Sequence, residues 1–224
     1  MGALFSGGKD SIFAVYKAMQ KHDIACLISI ISENSESHMF HTPNINLAAL
    51  QAKALEIPLL SQTTKGEKET ELEDLKTAIQ AAKKKYNLDG IVTGAIESVY
   101  QATRIQKICD ELDLWCFNPL WQVDQIEHLK EIVSAGFNVI ISAVLAEPFT
   151  RSWLGKEINE KTIKDLHKLQ QSHKINPAGE GGEFETFVLD GPIFKKKVEI
   201  KDAETTYSNF NGVYKIKNAE LVEK

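Results

Sequence analysis

The chain is poor in the residues that mark several specialised classes of protein. Its three cysteines, Cys26, Cys109 and Cys116, are odd in number and form no Cys-x-x-Cys pair, which argues against a disulfide framework and a zinc ribbon. Core packing is their expected role. No apolar run approaches the length of a membrane span, and the start carries neither a basic leader nor a cleavage site, so no membrane partner and a cytoplasmic location are expected. Positive charge is also short: 26 Lys and Arg stand against 31 Asp and Glu, a formal net charge of -5. That balance disfavours direct binding of nucleic acid. There is no internal repeat and no low-complexity linker. What remains, 43% hydrophobic and 25% charged over 224 residues, is ordinary for a soluble globular protein with enough chain to bury a core, as one large domain or two small ones.

Against that plain background one stretch stands out, Ser6-Gly7-Gly8-Lys9-Asp10-Ser11, between an apolar run (Ala3, Leu4, Phe5) and an amphipathic one (Ile12, Phe13, Val15, Tyr16, Met19). It reads as a strand turning sharply into a helix. Two adjacent glycines let the backbone bend and approach a ligand, so that free amides at the helix start can face an anion. Ser6 and Ser11 add hydroxyls and Lys9 a compact positive charge, which together make a phosphate cradle. A blander reading makes Asp10 and Ser11 simple first-turn stabilisers.

Downstream, helix and strand patterns alternate. The spacing predicts a helix from Asp10 to about Lys21, a buried strand over Ile24 to Ile31, a polar loop from Ser32 to His41, and a helix over Asn46 to Glu56 ended by Pro58. His38 and His41 lie three apart but lack a third metal ligand nearby. A short strand starts at Leu59-Leu60, and a charged helix from Glu67 to Tyr86 turns Leu72, Leu75, Ile79 and Ala82 to one face. Its Lys83-Lys84-Lys85 run suits a solvated helix end. Strands follow at Ile91 to Thr93 and Trp115 to Phe117. This alternation predicts an α/β fold with an open, parallel, right-handed five-stranded sheet and helices on both faces. Gly94 follows a strand end, where open sheets bind ligands. Arg104 sits near a helix start, where the dipole does not favour a cation; it is either an exposed surface arginine or a side chain reaching into a phosphate or carboxylate site.

Beyond Trp121 the pattern changes. A helix capped by Asp124 runs to Ala135 with Ile126, Leu129 and Val133 inward, Gly136 stops it, and Phe137 to Leu145 is a long strand. A charged helix from about Asn159 to Ser172 and antiparallel strands at Phe187 to Leu189 and Val198 to Ile200 complete a smaller α+β domain. The Lys195 to Lys197 run reads as an exposed strand end or a face for an acidic partner. The expected division is a domain over 1-120 that carries the phosphate cradle and a second domain over 121-224. In the latter, Glu180-Gly181-Gly182-Glu183-Phe184-Glu185-Thr186 crowds three carboxylates around two glycines, an arrangement that repels itself unless a cation or a donor-rich ligand sits among them. Such carboxylates can fix a cationic substrate, hold ammonium, or deprotonate it.

The opening hexapeptide lacks the glycine spacing of the mononucleotide P-loop and of the dinucleotide fold. It resembles the Ser-Gly-Gly-x-Asp-Ser loop (PP-loop) of the N-type ATP pyrophosphatases, which split ATP between its α and β phosphates while a carboxylate or carbonyl oxygen is adenylated. That resemblance implies a HUP-like sheet of the adenine nucleotide alpha hydrolase type. Together with Gly94-Ala95-Ile96-x-Ser98-x-Tyr100-Gln101-x-x-Arg104, Asn118-Pro119-Leu120-Trp121 and Gly179 to Thr186 through Asp190-Gly191-Pro192, the chain looks like the diphthine–ammonia ligase family. The resemblance implies amidation of the diphthine carboxylate on translation elongation factor 2, using ATP and ammonium through an acyl adenylate and giving diphthamide, AMP and pyrophosphate.

By the same resemblance, ATP binding falls to Ser6, Gly7, Gly8, Lys9, Asp10, Ser11 and Gly94, with Asp10 a magnesium contact. Lys9, Asp10, Arg104 and Glu183 are the implied catalytic residues. Ser98, Gln101, Asn118, Trp121, Gln122, Glu180, Gly181, Gly182, Glu183, Glu185 and Thr186 are implied to bind substrate. With no glutaminase domain in the chain, free ammonium is the expected nitrogen source, and a homodimer is compatible with the sequence. Three rival readings are the same chemistry on a small carboxylate, a tRNA-modifying sulfur or amino-acid transferase, and a nucleotide-binding sensor without turnover. Acidic charge and unpaired cysteines weigh against the second.

Overall fold

The computed structural model describes residues 1–33, 43–66 and 70–224. They divide into two compact units, Met1–Trp121 and Gln122–Lys224.

In the first unit, strands β1 (Gly2–Leu4), β2 (Cys26–Ser32), β3 (Leu59–Thr64), β4 (Gly90–Val92) and β5 (Trp115–Phe117) form one parallel sheet in the order β3-β2-β1-β4-β5. Helices α1 (Lys9–Met19), α2 (Ala48–Leu55), α3 (Thr70–Tyr86) and α4 (Val99–Glu111) make the crossovers. The strand order sets where a ligand can bind. From β1 the chain steps outward through β2 and β3, then returns across β1 to add β4 and β5 on the other side. The crossovers therefore diverge between β1 and β4, and right-handed connections carry α1 and α2 to one face and α3 and α4 to the other. Leu75, Ala78, Ile79 and Ala82 of α3 and Ile105, Ile108 and Cys109 of α4 share one buried cluster with Cys26, Ile28 and Ile91. Leu72 lies half-buried at the margin of that face. The expected Ser32 to His41 loop, with its histidine pair, and the start of the helix at Glu67 lie largely outside the described residues.

The second unit is an antiparallel sheet with helices. Strands β6 (Asn138–Val144), β7 (Phe184–Asp190), β8 (Lys197–Ser208) and β9 (Asn211–Val222) take the order β7-β6-β9-β8, with helices α5 (Gln125–Ser134) and α6 (Glu160–His173). Two departures from the sequence reading are informative. The inward face of α5 is Gln125, His128, Leu129 and Ile132, one residue behind the expected stripe, and Ile126 and Val133 are only half-buried. The expected three-residue strand at Val198 to Ile200 is one end of a long hairpin paired from Lys197↔Val222 to Ser208↔Asn211. Its turn residues Asn209 and Phe210 have φ 49 and 60. Both central residues are thus left-handed, the geometry of a two-residue hairpin turn that usually takes glycine. Among the described residues no helix is long and apolar enough to cross a membrane.

Candidate active site

In the first unit the hexapeptide leaves the carboxyl end of β1 at the point where the crossovers diverge. Gly7 turns the chain with φ +81, and Gly8 caps α1 with no side-chain cap, so the first turn of the helix opens toward the loop. Two serines tie the loop into a ring: the Ser6 amide and hydroxyl both donate to Ser11 Oγ, at 3.3 and 3.2 Å, and Ser11 Oγ donates to the Gly8 carbonyl at 3.0 Å. The Gly8 amide reaches Ser6 Oγ at 3.3 Å. Lys9 is 4% exposed and its Nζ lies 2.8 Å from Asp10 Oδ2. A buried ammonium beside a carboxylate, at a helix end that already carries partial positive charge, makes a strongly polar cradle.

Gly94 follows β4 directly. A Cβ there would lie 2.9 Å from the Asp10 carbonyl carbon and oxygen and from the Ser11 nitrogen, so the glycine lets the β4 end press against the first turn of α1. The close approach the structure shows is to the helix backbone, and it places Gly94 beside the hexapeptide, where the sequence reading expects the nucleotide.

The residues at the start of α4 make contacts of their own. Ser98 is the N-cap of α4, its Oγ accepting from the Gln101 backbone amide at 3.3 Å. Arg104 is half-buried in the second turn, where it stacks 3.5 Å over the Tyr100 ring and donates to the Tyr100 carbonyl at 3.3 Å. It is therefore a held cation rather than a loose surface arginine. Asn118 follows β5; its Oδ1 is buried with no hydrogen-bond partner, and its carbonyl accepts from the Trp121 amide at 3.3 Å. Trp121 is half-buried.

The sequence reading missed Gln51 of α2. It is wholly buried and its Nε2 donates to the Gly7 carbonyl at 2.9 Å. The available signal was a polar side chain at the inward spacing of a helix otherwise built from alanine and leucine. It also missed that Cys109 and Cys116, seven apart in sequence, meet side chain to side chain. Their hydrogen bond pushes the Cys109 thiol up, further raised by burial, and holds Cys116 down, while burial raises Cys26 to about 11. All three remain free thiols.

In the second unit Gln122 is exposed with φ 58, ahead of α5. The acidic stretch is split by the structure. Glu180, Gly181, Gly182 and Glu183 form a tight turn, with the Gly182 amide on the Gly179 carbonyl at 3.0 Å. Glu185 and Thr186, expected in the same loop, belong instead to β7, opposite Ala143 and Ile141, because Phe184, Thr186 and Phe187 extend a buried strand pattern back to the turn. Glu183 folds back over Gly181, where a Cβ would meet its Oε1 at 2.7 Å. That oxygen accepts from the Asn176 amide at 2.7 Å, and Oε2 is buried with no hydrogen-bond partner. Buried Gln125 supports the turn from below: its Oε1 accepts from the Ala178 amide at 3.1 Å and its Nε2 donates to Asn176 Oδ1.

Comparison with known proteins bears on both units. The family model described as diphthamide synthase N-terminal domain matches residues 1–115, and the one described as diphthamide synthase C-terminal domain matches residues 124–222. The diphthine–ammonia ligase of Danio rerio is 34% identical over 221 residues, covering 90% of this chain and 86% of that protein. That of Homo sapiens is 32% identical over 226 residues, covering 91% and 84%. The Schizosaccharomyces pombe protein of that name is 34% identical over 218 residues, of whose length this chain spans 36%. A solved structure described as a predicted subunit of tRNA methyltransferase from Methanocaldococcus jannaschii is 18% identical with a TM-score of 0.43, covering 86% of this chain and 97% of that one.

Proposed function

The chain belongs to the diphthamide synthase family, and we propose on that footing that it amidates the diphthine carboxylate of translation elongation factor 2, consuming ATP and ammonium and releasing AMP and pyrophosphate. The observation that carries the phosphate half of this reading is the placement of the hexapeptide: it lies at the divergence of β1 and β4, with a buried lysine and an uncapped helix start.

The chemistry sets the order of events. A carboxylate repels an incoming nucleophile and has no good leaving group, so it must first be joined to AMP as an acyl adenylate. Pyrophosphate leaves in that step. Lys9 and the amides of the first turn of α1 face the charge that develops on it, and fixed donors that need no reorganisation are the main means of lowering such a barrier. Asp10 fits magnesium as a single carboxylate contact, the kind of site in which the ion keeps waters and phosphate oxygens as its other ligands. The ion would supply charge neutralisation at the phosphates.

In the second unit Glu183 is the candidate to hold ammonium or take its proton. It has one oxygen fixed by a backbone amide and the other buried without a partner. Glu180 adds a second carboxylate to the same turn, and Arg104, Asn118, Trp121 and Gln122 are further candidates for substrate contact.

The direct test supplies the purified protein with elongation factor 2 bearing diphthine, ATP and ammonium, and follows the acceptor by mass. Conversion of the carboxylate to an amide, dependent on both ATP and ammonium, is the expected result. An unchanged acceptor with AMP released on addition of a small carboxylate would move the activity to that class of substrate.

A further inference from the structure

We propose that Gln51 is a positioning residue of the phosphate loop: it holds the Gly7 carbonyl from behind and so turns the Gly8 N–H toward the pyrophosphate end of the nucleotide. The inference rests on the phosphate-binding role of the hexapeptide. Gln51 lies 44 residues from Gly7 on α2, where the other buried positions are Ala48, Ala52, Ala54 and Leu55. A carboxamide with no exposed surface among such neighbours is costly unless its polar atoms are used. Here the Nε2 donates to the Gly7 carbonyl at 2.9 Å, and a Cβ on Gly7 would run into Oε1, so the carboxamide is packed directly against the loop.

In a trans peptide the C=O and the following N–H point in opposite directions. Fixing the Gly7 oxygen inward therefore directs the Gly8 N–H outward, where it makes only a long 3.3 Å contact with Ser6 Oγ. A Gly-Gly peptide is the easiest of all to flip, since neither residue resists left-handed geometry. Flipped, it would present a carbonyl oxygen to an anion. Gln51 excludes that state, and the loop is set for phosphate before ligand arrives.

The test is calorimetric titration of Gln51→Met, which keeps the volume and loses the hydrogen bond, with ATP, inorganic pyrophosphate and AMP in turn. Affinity for ATP and for pyrophosphate should each fall about tenfold, as expected for loss of one hydrogen bond to a charged group, while affinity for AMP stays at the wild-type value. A role in packing alone would not separate these ligands. The proposal is overturned if pyrophosphate and ATP bind as in the wild type, or if AMP weakens equally. Should Gln51→Met not fold, Gln51→Asn, too short to reach Gly7, carries the same criterion. Wild-type protein that binds no pyrophosphate would remove the phosphate reading of the loop itself, a separate outcome.

Discussion

Lys9 carries two electrostatic penalties at once. Its side chain is 3% exposed, and it stands in the first turn of α1, where the helix dipole disfavours a cation. The neighbouring Asp10 offsets part of this at 2.8 Å, and a polyanion bound in the loop would stabilise the ammonium further. Lys9→Met should therefore fold, because the Asp10 side chain keeps 25% exposure and can be hydrated. It should slow AMP release by about 100-fold to 1,000-fold, the usual effect of removing one preorganised donor. Steady-state AMP assays alongside thermal melting check both. At this scale the geometry of the loop was legible in the sequence, since the six residues that form it are consecutive. Gln51 could not be read the same way: its partner is remote in the chain, and no local rule joins a helix amide to a glycine carbonyl. Ser98 shows the converse. A serine at a helix start is a cap by default, and Ser98 caps α4 whatever else it contacts.

The elements show the same division between local and remote causes. Helix ends were readable because their caps are adjacent: Asp124 Oδ1 accepts from the Ile126 and Glu127 amides at 3.0 and 2.9 Å, and Asn159 caps α6 in the same way. The rotation of α5 was not readable, because its cause is the turn at Asn176 to Ala178, whose buried polar groups need Gln125 beneath them. Hydrophobic spacing alone favoured Ile126 and Val133. Gln125→Leu should cost about 1–3 kcal/mol, the penalty for stranding a buried donor such as the Ala178 amide, measurable by urea unfolding with an unchanged slope. The β8–β9 hairpin was hidden for another reason. Its turn is Asn209-Phe210 instead of the Asn-Gly signal, and its strands bear charges paired across the ladder, as in Lys201 with Glu220 and Lys217 with Glu204, and along β8, as in Lys201 with Glu199. Such a ribbon, solvated along much of its length, lacks a clean apolar alternation.

At the scale of the molecule, the sheet order of the first unit converts a sequence motif into a site. Parallel crossovers that diverge between β1 and β4 leave a crevice at the strand ends, and the hexapeptide and Gly94 are the segments that leave those two strands. The alternation of strand and helix made that topology foreseeable; the handedness of the crossovers left few alternatives. The second unit, with an antiparallel sheet whose central pair joins β6 to β9, could not be foreseen in detail because its pairing depends on contacts between distant segments. In the proposed reaction the acceptor carboxylate attacks the α-phosphorus of ATP. The most direct test is turnover of diphthine labelled with heavy oxygen in the carboxylate, followed by mass analysis of the nucleotide products. Label appearing in AMP, with pyrophosphate unlabelled, is the predicted result; label in inorganic phosphate together with ADP would contradict it.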